Sequence, residues 1–166
     1  MRSRTAISLN TLSQCALGGQ DYRASSFASL AWLSSNRAVL VPFFLSTPAL
    51  VTQLYWVNGA TVSGNVDAGV YDLSGTRLVS TGSTAQSGTS AFQGVTLGTP
   101  ALIGAGRFYL ALVLDNTTGT IYKAQNGFSR ALAIGEATSA FPLPAAVTLS
   151  AAGEHQPMVG FSGVVL

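Results

Sequence analysis

Few residues of this chain could take part in chemistry, and their spacing does not fit a catalytic arrangement. The single histidine, His155, follows Glu154 and precedes Pro157. A neighbouring His–Glu pair without an accompanying Ser or Cys motif indicates a solvated turn before the last strand and not a catalytic dyad. The sequence also contains no nucleophile elbow, Walker-type loop or His-x-x-x-His motif. It therefore predicts a protein that is not an enzyme.

The acidic residues are few and scattered: Asp21, Asp67, Asp72, Asp115, Glu136 and Glu154. Asp67 and Asp72 lie on opposite faces of one predicted strand, so a glycosidase-type pair would need partners from other segments. Asp72 and Asp115 stand where turns begin, and we expect their carboxylates to accept backbone hydrogen bonds. Asp115 and Asn116 could hold calcium, but such sites usually gather several carboxylates. We expect neither a metal nor another cofactor.

Charge is scarce along the whole chain. Charged residues make up 8% of the sequence, against about 25% in a typical soluble domain. A surface with so little charge is poorly protected against association, so we expect permanent assembly with other copies or with another protein. A monomeric, hydrophobic sandwich is the alternative. Cys15 is the single cysteine and cannot form an internal disulfide.

No segment predicts a membrane span or a secretory signal. The longest apolar runs, 38–45 and 108–114, are well short of the ~18 residues that a membrane helix needs. The N-terminal segment lacks the apolar region of a signal peptide. We therefore expect no membrane partner, and a protein that stays in the cytoplasm until it is assembled.

Residues 1–36 differ from the rest and are predicted to form an extended N-terminal arm. They contain the basic residues Arg2, Arg4 and Arg23 against the single acid Asp21. Such an arm could lie over a neighbouring subunit and become ordered on assembly; a frayed terminus or an ordinary first strand is the alternative. The arginines are too sparse for the clustered basic footprint of a nucleic-acid-binding protein.

Residues 37–166 read as short strands separated by turns, which predicts an all-β, antiparallel β-sandwich of jelly-roll type. The strand patterns are clearest at 39–45, 50–57, 65–72, 76–80 and 107–114. The tetrapeptide 72–75 predicts a hairpin turn, and Asn58-Gly59 is a second turn signal. Segment 108–114 is apolar on both faces and predicts a central strand covered on both sides, whereas Pro42 predicts a sheet edge or bulge.

Aromatic residues offer a binding hypothesis. Tyr55 and Trp56 are consecutive on a predicted strand, so one points inward and the other outward, where it could stack on a sugar ring or enter a partner. Trp56 is the preferred outward candidate. Phe27 and Trp32 in the arm could anchor it to another subunit. Alternatively, all of these rings are ordinary core residues.

The order of strand and turn segments in 56–90, followed by 106–112 (Gly-Arg-Phe-Tyr-Leu-Ala-Leu), resembles that of β-sandwich proteins of tailed-bacteriophage virions. The resemblance covers roughly 38–115 and implies a capsid decoration, head fibre or tail-associated protein. It implies self-association, with a trimer as the expected state, and binding to the major capsid protein or another virion protein, so the expected location is the virion. A receptor- or glycan-binding module of a tail or fibre is the alternative function.

Overall fold

The computed structural model describes residues 8–12, 27–125, 135–151 and 155–166. Every regular element in these ranges is a β-strand, as predicted from the sequence. The strands are β1 (Ser8–Leu12), β2 (Phe27–Ala31), β3 (Ala38–Leu45), β4 (Ala49–Val57), β5 (Asn65–Tyr71), β6 (Arg77–Ser80), β7 (Thr84–Ala85), β8 (Phe92–Ile103), β9 (Gly106–Leu114), β10 (Thr120–Gln125), β11 (Gly135–Ala137), β12 (Ser150–Ala151), β13 (His155–Pro157) and β14 (Val159–Val165).

The strands form two large antiparallel sheets and one small sheet. The four-stranded sheet has the order β1-β14-β4-β8, and the seven-stranded sheet has the order β12-β11-β3-β9-β5-β6, with β7 paired to β5. The small sheet has the order β13-β10-β2. The main core lies between the two large sheets and includes Val41, Leu54, Leu112 and Phe161. This architecture confirms the predicted antiparallel β-sandwich.

Strand β9 is the centre of the seven-stranded sheet, paired with β3 on one side and β5 on the other. Its residues Leu110, Leu112 and Leu114 face the main core. Ala111 and Val113 face a second core on the opposite side of the sheet. The prediction of a central strand covered on both faces is therefore confirmed.

The second core is built by the segment that follows β11. This segment lies on the outer face of the seven-stranded sheet, where Leu143 and Ala140 pack with Leu40 and Tyr71. Because apolar burial is the main source of folding free energy, this layer stabilises a sheet face that would otherwise be exposed to water.

The two predicted turns have different outcomes. Tyr71 pairs with Arg77, and Gly75 takes the positive φ of 83° that the turn between β5 and β6 requires, so the predicted hairpin is confirmed. The chain does not form a hairpin at Asn58-Gly59, because β4 and β5 lie in different sheets. Asn58 instead bridges to Ile121.

Two strands lie within the segment predicted as an arm. β1 pairs with β14 in the four-stranded sheet, and β2 pairs with β10 in the small sheet. At Pro42, β3 is paired only with β9, since β11 ends its pairing at Leu40, and this agrees with the predicted edge position. Among the described residues, no helix has the length and apolar character needed to cross a membrane.

Candidate functional site

The four-stranded sheet is distinguished by its lack of charge. None of the residues in β1, β4, β8 and β14 is charged. The charged residues of the described ranges lie on or beside the strands of the other two sheets: Arg37, Asp67, Asp72, Arg77, Arg107, Asp115, Lys123 and Glu136. As far as the structure describes the chain, the outer face of the four-stranded sheet is thus an uncharged surface.

A β-bulge in β4 determines which aromatic side chain reaches this outer face. Val51 faces the core, and simple alternation from Val51 would turn Trp56 outward. Thr52 has no partner in either neighbouring ladder, and the register shifts at this point in both the β14 and the β8 ladder. An extra residue reverses the alternation, so Tyr55 lies on the outer face and Trp56 lies in the core. The prediction that Trp56 is the outward aromatic is wrong.

Tyr55 and Phe92 form an aromatic pair on the outer face. Phe92 lies opposite Val57 at the start of β8 and is 65% exposed. The ring centroids of Tyr55 and Phe92 are 6.1 Å apart, with an interplanar angle of 64°. This edge-to-face geometry is favourable for aromatic rings, and it keeps much of the Phe92 ring open to solvent.

Polar groups lie beside the aromatic pair. The cross-strand neighbours of Tyr55 are Gly94 and Gly160, which have no side chains. The amide of Gln53 lies over Gly94, since a Cβ atom on residue 94 would fall 2.7 Å from Gln53 Nε2. Gln53 Oε1 accepts a hydrogen bond from Ser162 Oγ at 3.1 Å. We call Gln53, Tyr55, Phe92, Gly94 and Ser162 the aromatic site.

Trp56 holds a buried polar network together. Its Nε1 donates to Asn58 Oδ1 at 2.8 Å, and Gln86 Nε2 donates to the same oxygen at 3.0 Å. Asn58 Nδ2 donates to Ser87 O at 2.5 Å and to Gln93 Oε1 at 2.8 Å. Because Trp56 and Asn58 have no exposed surface, this network fixes the loops around residues 58 and 86 and is not available to a ligand.

The other predicted partner-binding residues are distributed differently. Arg2, Arg4 and Arg23 lie outside the described residues. Phe27 is half-buried on β2. Trp32 is buried in the main core, where its Nε1 donates to Arg37 O at 2.8 Å, so it anchors its own chain to the sandwich and not to a neighbouring subunit.

Lys123 is a buried amine next to Trp32. Its Nζ lies 5.5 Å from the centroid of the Trp32 ring and donates to Ala31 O at 2.5 Å. Only 2% of the residue is exposed, and desolvation lowers its pKa from 10.5 to about 8. These contacts hold the β2 end of the chain against β10.

Asp67 is a buried carboxylate on the outer side of the seven-stranded sheet. Its Oδ2 accepts from Leu143 N at 2.9 Å, and its Oδ1 accepts from Thr81 Oγ1 at 3.0 Å. Desolvation by burial raises its pKa, although these hydrogen bonds and Arg77 oppose the rise. Tyr71 Oη donates to Pro144 O at 2.7 Å. Asp67 and Tyr71 therefore hold segment 143–144 on the sheet, which explains them without catalysis.

The turn around Asp115 is closed by hydrogen bonds from amide groups. Asp115 Oδ2 accepts from Asn65 Nδ2 at 2.8 Å, and its Oδ1 accepts from Asn116 Nδ2 at 2.6 Å. Asn116 Oδ1 accepts from the N–H groups of Thr118 and Gly119. The described residues contain no group of three or more metal-binding side chains. The carboxylate has the predicted turn role, and hydrogen bonds hold its pKa below the ordinary value despite partial desolvation.

The remaining candidate acid and base residues lie on different strands or outside the described residues. His155 pairs with Gln125 through the backbone of β13, so it lies in a strand and not in the predicted turn, while Glu154 lies outside the described residues. Glu136 forms an ion pair with Arg37, with 3.3 Å between Oε2 and Nη1.

Sequence reasoning missed Phe92 and Gln53. Phe92 follows a polar, low-complexity stretch that predicts only a loop or an edge strand, and Gln53 lies at the bulge, where alternation does not apply. A usable signal was the uncharged segment between Arg77 and Arg107, within which Phe92 is the only aromatic residue.

Comparison with known proteins gives a family and a distant likeness of fold. The model of a family described as "Domain of unknown function (DUF4082)" matches residues 19–154. No curated protein matches the chain. A fucose-binding module of Streptococcus pneumoniae, SpX-3, is 14% identical, with 71% of this chain and 88% of that chain covered and a TM-score of 0.36. A chain of the T13 viral particle of IBDV is 11% identical, with 96% and 38% covered and a TM-score of 0.30. At these TM-scores neither likeness indicates what this chain binds.

Proposed function

The chain belongs to the DUF4082 family of domains of unknown function, and we propose that it is a carbohydrate-binding module without catalytic activity. The aromatic site is the binding surface, and a neutral saccharide is the ligand. The observation that carries this proposal is the pair formed by the half-buried Tyr55 ring and the exposed Phe92 ring, with the Gln53 amide beside it on an uncharged sheet face.

The chemistry of the site suits a sugar ring. A pyranose presents C–H groups on one face, which pack against aromatic rings, and hydroxyl groups at its edge, which need hydrogen-bond partners. Tyr55 and Phe92 supply the rings. Ser162 donates to Gln53 Oε1, and Gln53 Nε2 donates to no acceptor among the described residues. The amide can therefore donate to a sugar hydroxyl at the side of the rings.

The absence of charge selects the class of saccharide. Sialic and uronic acids carry carboxylates, which lose hydration on binding and need a cationic or strongly polar partner. None of the residues in the four strands of this sheet is basic. Neutral hexoses and deoxyhexoses are bound without that requirement, so the proposal is restricted to them.

The site lies on an open sheet face, so the expected affinity is low. An aromatic contact contributes about 0.5–1.5 kcal/mol beyond its buried area. With two rings and one amide, a dissociation constant on the order of 0.1–1 mM for one sugar unit follows. Useful binding would then require several sugar units or several modules on one particle.

The test is a glycan array containing neutral and acidic saccharides, followed by calorimetric titration with the best neutral ligand. Phe92→Ala should weaken binding about tenfold or more, since it removes half of the ring pair. Phe44→Ala is the matched control: Phe44 is 60% exposed, but it lies on β3 of the other sheet. The affinity of the Phe44→Ala variant for the saccharide should equal that of the unmodified chain.

Either of two results would contradict the proposal. One is an array on which no neutral saccharide binds above background when the protein is presented at high density. The other is equal loss of binding in Phe92→Ala and Phe44→Ala, which would place the ligand elsewhere. Retention of the circular-dichroism spectrum in both variants separates these results from unfolding.

A second candidate function is a structural role in a virion, with this chain bound to the major capsid protein or another virion protein. It is favoured by exposed aliphatic residues such as Leu102 and Leu166, which are 64% and 58% exposed. The test is the copy number of this chain relative to the major capsid protein in purified particles. Hundreds of copies would support a shell component, whereas absence from particles would overturn this role and leave saccharide binding unaffected.

A further inference from the structure

The outer face of the four-stranded sheet has a second, aliphatic end. Leu50 lies at the centre of a cross-strand row, with Leu102 opposite it on β8 and Val164 opposite it on β14. Leu102 is 64% exposed, and Leu50 and Val164 are half-buried. Leu166 adds to this end, since its N–H donates to Pro48 O. We call Leu50, Leu102, Val164 and Leu166 the aliphatic patch.

The patch has no charged neighbours along its strands. No charged residue occurs between Arg37 and Asp67 or between Arg77 and Arg107, and β14 has none. Among the described residues of these strands, a partner selected by opposite charge would find no charged side chain to pair with. The partner must therefore offer a neutral, aliphatic surface of its own.

We propose that this partner is a second copy of the chain, packed face to face about a two-fold axis through Leu50. The row Val164–Leu50–Leu102 is self-complementary when the axis lies along it: Leu50 meets Leu50 of the copy, Leu102 meets Leu102 and Val164 meets Val164, and the two copies of β4 run in opposite directions. Such reciprocal contact is the property of an isologous interface. Two sheet faces can approach to about 10 Å with their side chains interdigitated.

The size of the patch sets the strength of the contact. Because Leu50 and Val164 are already half-buried, the four side chains together bury roughly 300 Å² on each copy, which is well below the ~1,200 Å² total of a standard interface. The dimer is consequently weak and depends on concentration. A dissociation constant on the order of 10–100 µM is expected.

Pairing through the free edge of β8 is a less suitable geometry for the same two copies. Between Thr96 and Ala101 the ladder with β4 is interrupted, and this interruption contains Pro100, which has no N–H to donate. A bulge and a proline are features that prevent edge-to-edge pairing. The contact therefore uses the sheet face and not its edge.

The dimer leaves the aromatic sites free. Leu50 and Tyr55 are five residues apart on β4, or about 16 Å along the strand. A contact confined to the aliphatic end places the two aromatic sites at opposite ends of the pair. Should the proposed saccharide binding hold, the dimer would be bivalent; the dimer itself does not depend on that binding.

The test is sedimentation equilibrium of the full chain up to ~200 µM, above the expected dissociation constant. Leu102→Lys should weaken dimerisation at least tenfold, because two ammonium groups would be brought onto one neutral contact. Leu73→Lys is the matched control, with the same change of residue at a position that is 57% exposed but lies in the turn between β5 and β6. It should dimerise as the unmodified chain does.

The proposal is overturned if the chain stays monomeric over the whole range, or if it forms trimers or an open-ended series. Equal effects of Leu102→Lys and Leu73→Lys would also overturn it, because they would show dependence on net charge and not on the patch. Leu102→Gln provides an uncharged variant of intermediate effect, and saccharide binding by the Leu102→Lys monomer separates this proposal from the proposed function.

Discussion

The amide of Gln53 lies over Gly94, so that a Cβ atom on residue 94 would be 2.7 Å from Gln53 Nε2. The glycine thus provides the space in which the amide lies, next to the ring of Tyr55 on the adjacent strand. Any side chain at position 94 must displace the amide. Since Gln53 is a flexible side chain with its other amide atom on Ser162, the fold can tolerate this displacement although the aromatic site would change.

Gly94→Ala tests this relationship without touching an aromatic residue. The variant should keep the stability of the unmodified chain to within about 1 kcal/mol, since only a half-buried side chain moves. Its affinity for a neutral saccharide should fall about fivefold, the loss of one modest hydrogen bond. Titration calorimetry provides the affinity and thermal melting the stability. Gly98→Ala is the control, because a Cβ atom there meets nothing within 4 Å; an equal loss in both variants would count against a role for the Gln53 amide.

The fold was more accessible from the sequence than the site. The pattern of 108–114, apolar on both faces, and the turn at Asp72–Gly75 depend on neighbours in sequence, and both predictions are confirmed. The choice between Tyr55 and Trp56 depends on the bulge at Thr52, which exists only because β14 and β8 pair with β4. A single unpaired residue reverses every later side chain, and no local pattern reveals it. The sequence therefore predicted that one of the two aromatic residues faces outward, but it favoured Trp56 where the structure has Tyr55.

Asn58→Ala should destabilise the fold strongly. The change leaves Trp56 Nε1 without its acceptor and Ser87 O without the Asn58 donor. Gln86 Nε2 and Gln93 Oε1 each lose one of their two partners. Each unsatisfied buried polar group costs about 1–3 kcal/mol, so a loss of roughly 3 kcal/mol in the free energy of unfolding is expected. Urea denaturation followed by Trp fluorescence measures it. A loss below about 1 kcal/mol would show that water replaces the Asn58 side chain and that the network is not fixed as described.

Asp67→Asn should be well tolerated, whereas Asp67→Leu should not. An Asn oxygen can accept from Leu143 N, and its amide can donate to Thr81 Oγ1, whose own hydrogen can go to Gly82 O at 3.1 Å. Leu would leave the Leu143 N–H unpaired, at a cost of about 2 kcal/mol. Equilibrium unfolding of both variants decides between these outcomes; equal destabilisation would mean that the carboxylate charge itself is required.

The pH dependence of Asp67 follows from its raised pKa. Folding shifts this pKa upward from 3.8 because burial removes water from the carboxylate. Between the unfolded and folded pKa values the folded state holds a proton that the unfolded state has lost, so stability falls as pH rises through this window. The unmodified chain should lose stability relative to Asp67→Asn over this range. The lowered pKa values of Asp72 and Asp115 act in the opposite sense, but they are common to both proteins and cancel in the difference. A difference that stayed constant with pH would contradict the assignment.

Lys123 should make the fold more stable as the solution becomes moderately basic. Its pKa is lowered from 10.5 in the unfolded chain to about 8 in the fold, because the amine is desolvated. Below pH 8 both states are protonated; between 8 and 10.5 only the unfolded state keeps the proton, and stability rises with pH. The range up to pH 10 is the one to measure, since Tyr71, with its pKa raised to about 12, acts in the opposite sense above it.

Lys123→Met isolates this effect, because Met fills similar space beside Trp32 without a charge to desolvate. At pH 7 the variant should be more stable than the unmodified chain by about 1–3 kcal/mol, and its stability should not rise between pH 8 and 10. Urea denaturation at several pH values in this range gives both quantities, and the two curves should converge as pH approaches 10. If Lys123→Met is instead destabilised at every pH, the hydrogen bond to Ala31 O and the contact with the Trp32 ring outweigh desolvation. The charged Lys123 would then make a net stabilising contribution by holding β2 on the sandwich.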